Sequence, residues 1–262
     1  MESKNMRFLK TVERIGLAFL LLALGARVQA ADITVLASNG VKTVLEELAP
    51  RFETSSGHRV VFRFATAAEL KGQIEKGDAF DVAILTAAII DDLIKQGKLA
   101  ADTRADIARS GAGIAIRKGA PKPDIATADA LKRTLLSAKS VAFVGQGATA
   151  SIMTGIFERL GIAEEMRTKT KRLSGSAADA VASGEAELGF TQISEILPVA
   201  GAELAGPLPS ELQIYTVFPA AVSAGAKQPA AARSLITFLT APAAVPVIKA
   251  KGMEPAPARG GR

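Results

Sequence analysis

From residue 33 onward the apolar positions alternate between two rhythms. Ile33-Thr-Val-Leu-Ala37 is a short apolar run that reads as a buried strand. Val41, Val44, Leu45, Leu48 and Phe52 then recur at three- and four-residue steps, which predicts a helix ended by Thr54-Ser-Ser-Gly57. Val60 to Ala65 predicts a second strand, and Leu70 with Ile74 a second helix ending near Gly77. Asp81-Val-Ala-Ile-Leu85 predicts a third strand, and Ile89, Ile90, Leu93 and Ile94 a third helix closed by Gly97. Consecutive β-α units of this kind imply a parallel sheet with helices on both faces.

Gly113-Ile-Ala-Ile-Arg117 is strand-like and runs into the Pro-rich turn Gly119-Ala-Pro-Lys-Pro123. The alternation resumes with strand 141–144, helix 152–160, strand 170–173, helix 177–183 and strand 187–191. Ile214 to Ala224 reads as a late strand, and 230–239 and 244–250 as helices. One doubly wound sheet can hold all of these strands. The interruption near 111–123, and a late strand able to lead the chain back, point instead to two doubly wound α/β lobes joined by two crossings that form a hinge. The expected limits are 31–112 with 226–256 for the first lobe and 113–225 for the second. A Pro/Ala/Gly/Arg-rich tail from Glu254 is expected to fray, above all over 257–262.

The first residues have another character. Lys4, Arg7, Lys10 and Arg14 precede the apolar run Ile15 to Gly25, and Val28-Gln29-Ala30 sets small residues at −3 and −1 of a cut after Ala30. This is the pattern of a cleaved export signal over residues 1–30, with an apolar stretch short for a bilayer span. An uncleaved membrane anchor is the competing reading. The whole chain has 32 Lys/Arg against 26 Asp/Glu, net +6; residues 1–30 hold five and two, which leaves 27 against 24. The remaining positive charge is scattered, with one Tyr and no Trp for base stacking, so a nucleic-acid partner is not expected. With no Cys and one His (His58), there is no disulfide, thiol nucleophile, metal cluster or Ser-His-Asp triad to expect.

Candidate chemistry sits at the strand ends. Ligands of open parallel α/β sheets bind where a strand ends and the next helix begins. Here those places read Ser38-Asn39-Gly40, Thr66-Ala67-Ala68, Thr86, Gly145-Gln146-Gly147-Ala148-Thr149, Ser174-Gly175-Ser176 and Thr191-Gln192. Such residues suit helix caps and tight turns without any ligand. Shared among so many turns, they also suit a crevice whose free N–H groups and hydroxyls receive a small anion.

The runs Ile33-Thr-Val-Leu-Ala-Ser-Asn-Gly, Phe64-Ala-Thr-Ala-Ala-Glu-Leu, Gln73-Ile-Glu-Lys-Gly77, Asp81-Val-Ala-Ile-Leu and Gly184-Glu-Ala-Glu-Leu-Gly-Phe-Thr-Gln192 resemble the molybdate-binding proteins of ABC importers. The resemblance covers nearly all the chain after residue 30. It implies the type II periplasmic binding fold, a periplasmic location, a monomer, no cofactor, and an ABC permease or a membrane sensor as partner. It implies ligand contacts at Ser38, Asn39 and Gly40, at Thr66 and Ala67, and in the second lobe at Thr149, Ser174, Ser176 and Gln192. The chain departs from that family where Gly40 and Ala67 or Ala68 replace frequent Ser, and where Gln192 replaces a Tyr that commonly donates. The same broad family includes proteins resembling aconitate isomerase. The ligand is therefore either an oxyanion such as molybdate or a di- or tricarboxylate. The expected function is anion capture, with an allylic proton shift as the alternative. An isomerase needs a base beside an acidified carbon, and the nearest ionisable residues are Lys42 and Glu69, both also suited to a solvated helix face.

Overall fold

The computed structural model describes residues 30–145 and 147–256. The expected export signal, apart from Ala30, the tail 257–262 and Gln146 lie outside the described residues. In chain order, the first elements are β1 (Asp32–Ser38), α1 (Lys42–Ser56), β2 (Arg59–Ala65), α2 (Ala67–Lys76), β3 (Val82–Ile84) and α3 (Ala87–Lys95). Then come β4 (Ala105–Arg117), α4 (Ala128–Ser137), β5 (Val141–Val144), α5 (Gly147–Leu160), α6 (Ala163–Met166), β6 (Thr170–Leu173), α7 (Ala177–Ser183), β7 (Leu188–Gln192) and α8 (Ile193–Ile196). The chain closes with β8 (Ala202–Pro207), β9 (Tyr215–Val222), α9 (Pro229–Thr240), α10 (Val245–Ala250) and β10 (Glu254–Pro255).

In the first lobe β1 lies between β2 and β3, all parallel, and β9 runs antiparallel beside β3. Period-two alternation sorts their side chains. Ile33, Val35 and Ala37 join one core with Leu45, Leu48 and Phe52 of α1 and Leu235 of α9. Leu36, Ala83 and Leu85 join a second core on the opposite face, with Leu70 and Ile74 of α2 and Ile90 and Leu93 of α3. Each large side chain buried this way contributes about 1.5–3 kcal/mol. Asp81 is 4% exposed and fastens the lobe, accepting from Thr34 N–H at 2.9 Å, Lys227 N–H at 2.8 Å and Gln228 N–H at 3.0 Å.

The strand expected at 113–117 begins eight residues earlier. Over Ala105–Gly111 β4 pairs antiparallel with β9, and over Ala112–Ala115 with β7, so this one strand is the first crossing between lobes. Beyond it, β5, β6 and β7 are parallel, and β8 pairs with β4. Phe143, Phe157, Phe190, Leu131 and Leu135 fill the second lobe's larger core, and an Ala-rich core lies under α7.

Three corrections to the sequence reading follow from pairing. The late strand, β9, bonds to β3 and β4, and Phe218 and Val222 lie in the first core; residues 215–225, expected in the second lobe, therefore sit with the first. The tail does not fray from Glu254: Glu254 and Pro255 pair with Arg109 and Ala108, and the Glu254 carboxylate holds the Arg109 guanidinium at 2.6 Å. Helix α4 and strand β8 were not anticipated; α4 is announced only by Thr127, whose hydroxyl caps Ala130 N–H.

At the return crossing one side chain adds to the backbone bonds that Ala112 makes with Ile214 and Leu208. The Gln213 amide accepts from Ala112 N–H at 3.0 Å and Ile214 N–H at 2.9 Å, and donates to Ala112 C=O at 3.1 Å. It imitates a peptide group between the two crossing segments.

Candidate functional site: the turns facing across the gap

Strand directions bring the candidate turns face to face. β3 is level with the start of β4, because Ile84 and Ala105 both pair with Ala220. β4 continues toward the second lobe, where its Ala112 pairs with Gln192 at the carboxyl end of β7. The first-lobe parallel strands thus run toward the second lobe, and β5, β6 and β7 run toward the first.

Two of the expected residues come into close contact between the lobes. Gly40 is buried, and a Cβ added to it would stand 2.8 Å from Gln192 Oε1 and 2.6 Å from the Phe218 ring. Gln192 thus reaches from the second lobe to lie directly over Gly40. Its Oε1 and Ser194 Oγ are the two buried side-chain polar atoms without a hydrogen-bond partner among the described residues. Helix α8, which Gln192 introduces, packs on the 39–41 turn, and its Ser194 N–H donates to the buried Ser110 Oγ of β4 at 3.3 Å.

The other first-lobe candidates divide. Ser38 is 6% exposed at the end of β1, and its side chain makes no capping hydrogen bond. Asn39 beside it is exposed. Thr66 is occupied: its hydroxyl accepts from Glu69 N–H at 3.3 Å and donates to Glu69 Oε2 at 2.8 Å, while Thr66 N–H donates to the same oxygen at 3.0 Å. This is a capping box, in which side chain and backbone satisfy each other reciprocally. Ala67, half-buried, opens α2 and brings only its backbone N–H.

Both expected bases are poorly placed for proton abstraction. The Thr66 hydroxyl and N–H hold the Glu69 carboxyl below the usual glutamate range, which weakens it as a base. Lys42 is half exposed, 3.8 Å from Glu46, with its Nζ 5.7 Å from the Phe64 ring centroid. In the second lobe Thr149 is half-buried in the first turn of α5 and Ser174 is exposed. Ser176 Oγ accepts from Asp179 N–H at 3.1 Å and so caps α7.

The sequence reading passed over Glu195. It lies on α8 three residues past Gln192, and its carboxylate receives the Thr191 hydroxyl, with the Gln192 N–H as a second donor. Burial pushes this carboxyl upward, against the lowering effect of those two donors. The signal was a Thr and a Glu four apart around a strand end; that the fold covers the pair could not be read locally. Two cavities, of about 870 and 550 Å³, lie elsewhere, the first beside the return crossing around Ile125, Leu208 and Tyr215, the second on the second lobe around Arg117, Ser140 and Glu187. Neither is lined by the facing turns.

Residues 33–254 match the family model of bacterial extracellular solute-binding proteins. An aconitate isomerase of a Pseudomonas species is 32% identical over 233 residues, 87% of this chain and 89% of that protein. The molybdate-binding protein ModA of Azotobacter vinelandii is 27% identical, with 90% and 97% covered. Among solved structures, the A. vinelandii periplasmic molybdate-binding protein gives a TM-score of 0.72 at 21% identity, with 84% and 98% covered. The sulfate-binding protein SubI of Mycobacterium tuberculosis H37Rv gives 0.70 at 16% identity, with 87% and 88% covered. At these identities the structural likeness speaks for the fold. The match across nearly all described residues places the chain in the bacterial extracellular solute-binding protein family.

Proposed function

We propose that this protein is exported and captures a small polycarboxylate anion between its lobes, for delivery to a membrane permease. The observation that carries this reading is the partnerless, buried amide oxygen of Gln192, held over Gly40 of the opposite lobe. A buried polar atom without a partner costs about 1–3 kcal/mol, which leaves this amide ready to turn its NH2 toward an anion between the lobes. The amide end offers both a donor and an acceptor and can turn to present either. Turned so that its NH2 faces the gap, it donates to an anion's oxygen, a carboxylate oxygen included. Ser38 supplies an uncommitted hydroxyl from the first lobe. The 32% identity to a protein named for its action on aconitate favours the same ligand class.

The test is thermal stabilisation by cis- and trans-aconitate, citrate, molybdate, tungstate, sulfate and phosphate. A ligand that binds only the native form stabilises it by RT ln(1 + [L]/Kd). Stabilisation by the tricarboxylates and not by the tetrahedral anions is expected. Selective stabilisation by molybdate or tungstate overturns the choice of ligand.

A second reading, an enzyme that moves an allylic proton, is favoured by the half-buried Glu195 beside Gln192, whose carboxyl is pushed upward by desolvation. Chromatography of a cis-aconitate incubation for the trans isomer tests it directly.

A further inference from the structure

The isomerase reading lacks a base in the sequence candidates: Glu69 is spent on its capping box, and Lys42 faces solvent beside Glu46. Glu195 differs from both. It stands in the turn that carries Gln192, on a short helix packed against the 39–41 turn of the first lobe. It enters none of the ion pairs among the described residues; what holds it is the Thr191 hydroxyl and the Gln192 N–H. These two donors restrain the carboxylate's orientation, as a positioned base requires.

Resting on that reading of the cleft, we propose that Glu195 is the group that takes and returns the proton of an unsaturated tricarboxylate. The carboxylate removes a proton from the methylene carbon. The electron pair left behind spreads through the adjoining double bond toward a carboxyl group, and the same Glu195 carboxyl returns the proton to the former vinylic carbon. One C–H bond breaks, one forms, the double bond moves by one carbon, and no oxidant or reductant is needed. The buried setting, which raises the carboxyl, brings its basicity closer to what such a transfer demands.

The charged side chains on the elements packed against α8 are engaged elsewhere. Asp106 meets Arg104 at 2.7 Å, Arg109 meets Glu254, and Glu203 meets Lys122 at 2.9 Å. Arg117 lies against Gly184. Ionisation of Glu195 is therefore governed by its burial and its two donors.

The experiment compares the full chain with Glu195→Gln, Glu195→Asp and Thr191→Val. It measures cis/trans-aconitate conversion, exchange of aconitate carbon-bound protons in D2O, and trans-aconitate binding by calorimetry. Glu195→Gln is expected to lose about 10²–10⁴-fold in conversion and exchange while binding within a few-fold. The rise of kcat/KM with pH should belong to Glu195, and Thr191→Val, lacking a donor that lowers the carboxyl, should move that rise to higher pH. Glu195→Asp should restore part of the activity, and serves as the test if the Gln variant does not fold. Conversion undiminished in both Glu195 variants overturns the role of Glu195 and leaves the isomerase reading standing. Wild-type protein that binds aconitate without conversion or exchange overturns both.

Discussion

Gln192 of the second lobe lies over Gly40 of the first, its Oε1 2.8 Å from where a Cβ on residue 40 would stand. The fit depends on the missing side chain. Gly40→Ala drives a methyl group into the fully buried Phe218 ring and into Gln192, an overpacking cost of about 1–3 kcal/mol. Denaturant titration should show that loss, and calorimetry a weaker ligand. Unchanged stability and affinity would count against the close approach.

Ser38 and Thr66 should separate cleanly. Ser38→Ala removes a hydroxyl that makes no cap, so affinity should fall by about 1.5–3 kcal/mol, with little change in melting temperature. Thr66→Ala breaks the capping box with Glu69, so stability should fall by about 0.5–2 kcal/mol and affinity much less. Paired melting and binding curves decide it; equal effects of both substitutions would contradict the assignment.

The buried carboxyl of Glu195 sets a sign for the pH dependence of stability. Its folded pKa lies above the ordinary 4.5, so the fold favours its protonated form. That favourable contribution is complete below about pH 4.5. It is lost as pH rises through the raised value. Glu195→Gln should therefore match wild type in acid and melt higher than wild type at pH 8. A variant that melts lower at pH 8 would refute the burial account.

Gln213→Ala leaves Ala112 N–H and C=O without their side-chain partner at the crossing. Both groups keep backbone partners, Ile214 C=O and Leu208 N–H, so we expect a loss of about 0.5–1.5 kcal/mol and a wider spread of lobe separations in small-angle scattering of the unliganded protein. An unchanged profile would show that the amide does not restrain the hinge.

Much of the architecture is legible locally. The alternation of Ile33, Val35 and Ala37 against Leu36 defines a strand buried on both faces, and Thr66 with Glu69 three residues on marks a helix start. What stayed hidden depends on partners distant in sequence. The half of β4 over 105–111 carries Asp106, Arg109 and Ser110 and reads as strand only once β9 lies beside it. Glu254 looked like the start of a loose tail because Arg109, 145 residues earlier, is invisible to a local window. Among the site residues, hydroxyls at strand ends were easily found, yet sequence could not say which already serve caps. Thr66 and Ser176 do, and Ser38 does not. Glu195 escaped for the converse reason: its chemistry comes from being covered.

The Asp81 carboxylate, by joining Thr34 to Lys227 and Gln228, ties the first strand of the lobe to the last stretch of chain. Leu235 and Val247 complete the core begun by Ile33, about two hundred residues upstream, whereas the second lobe is one uninterrupted run between the crossings. Contacts so far apart close late and slowly. The second lobe can therefore form while the first still waits for the last stretch of chain. Gly40 and Phe218, which Gln192 meets, belong to the first lobe, whose core needs the end of the chain.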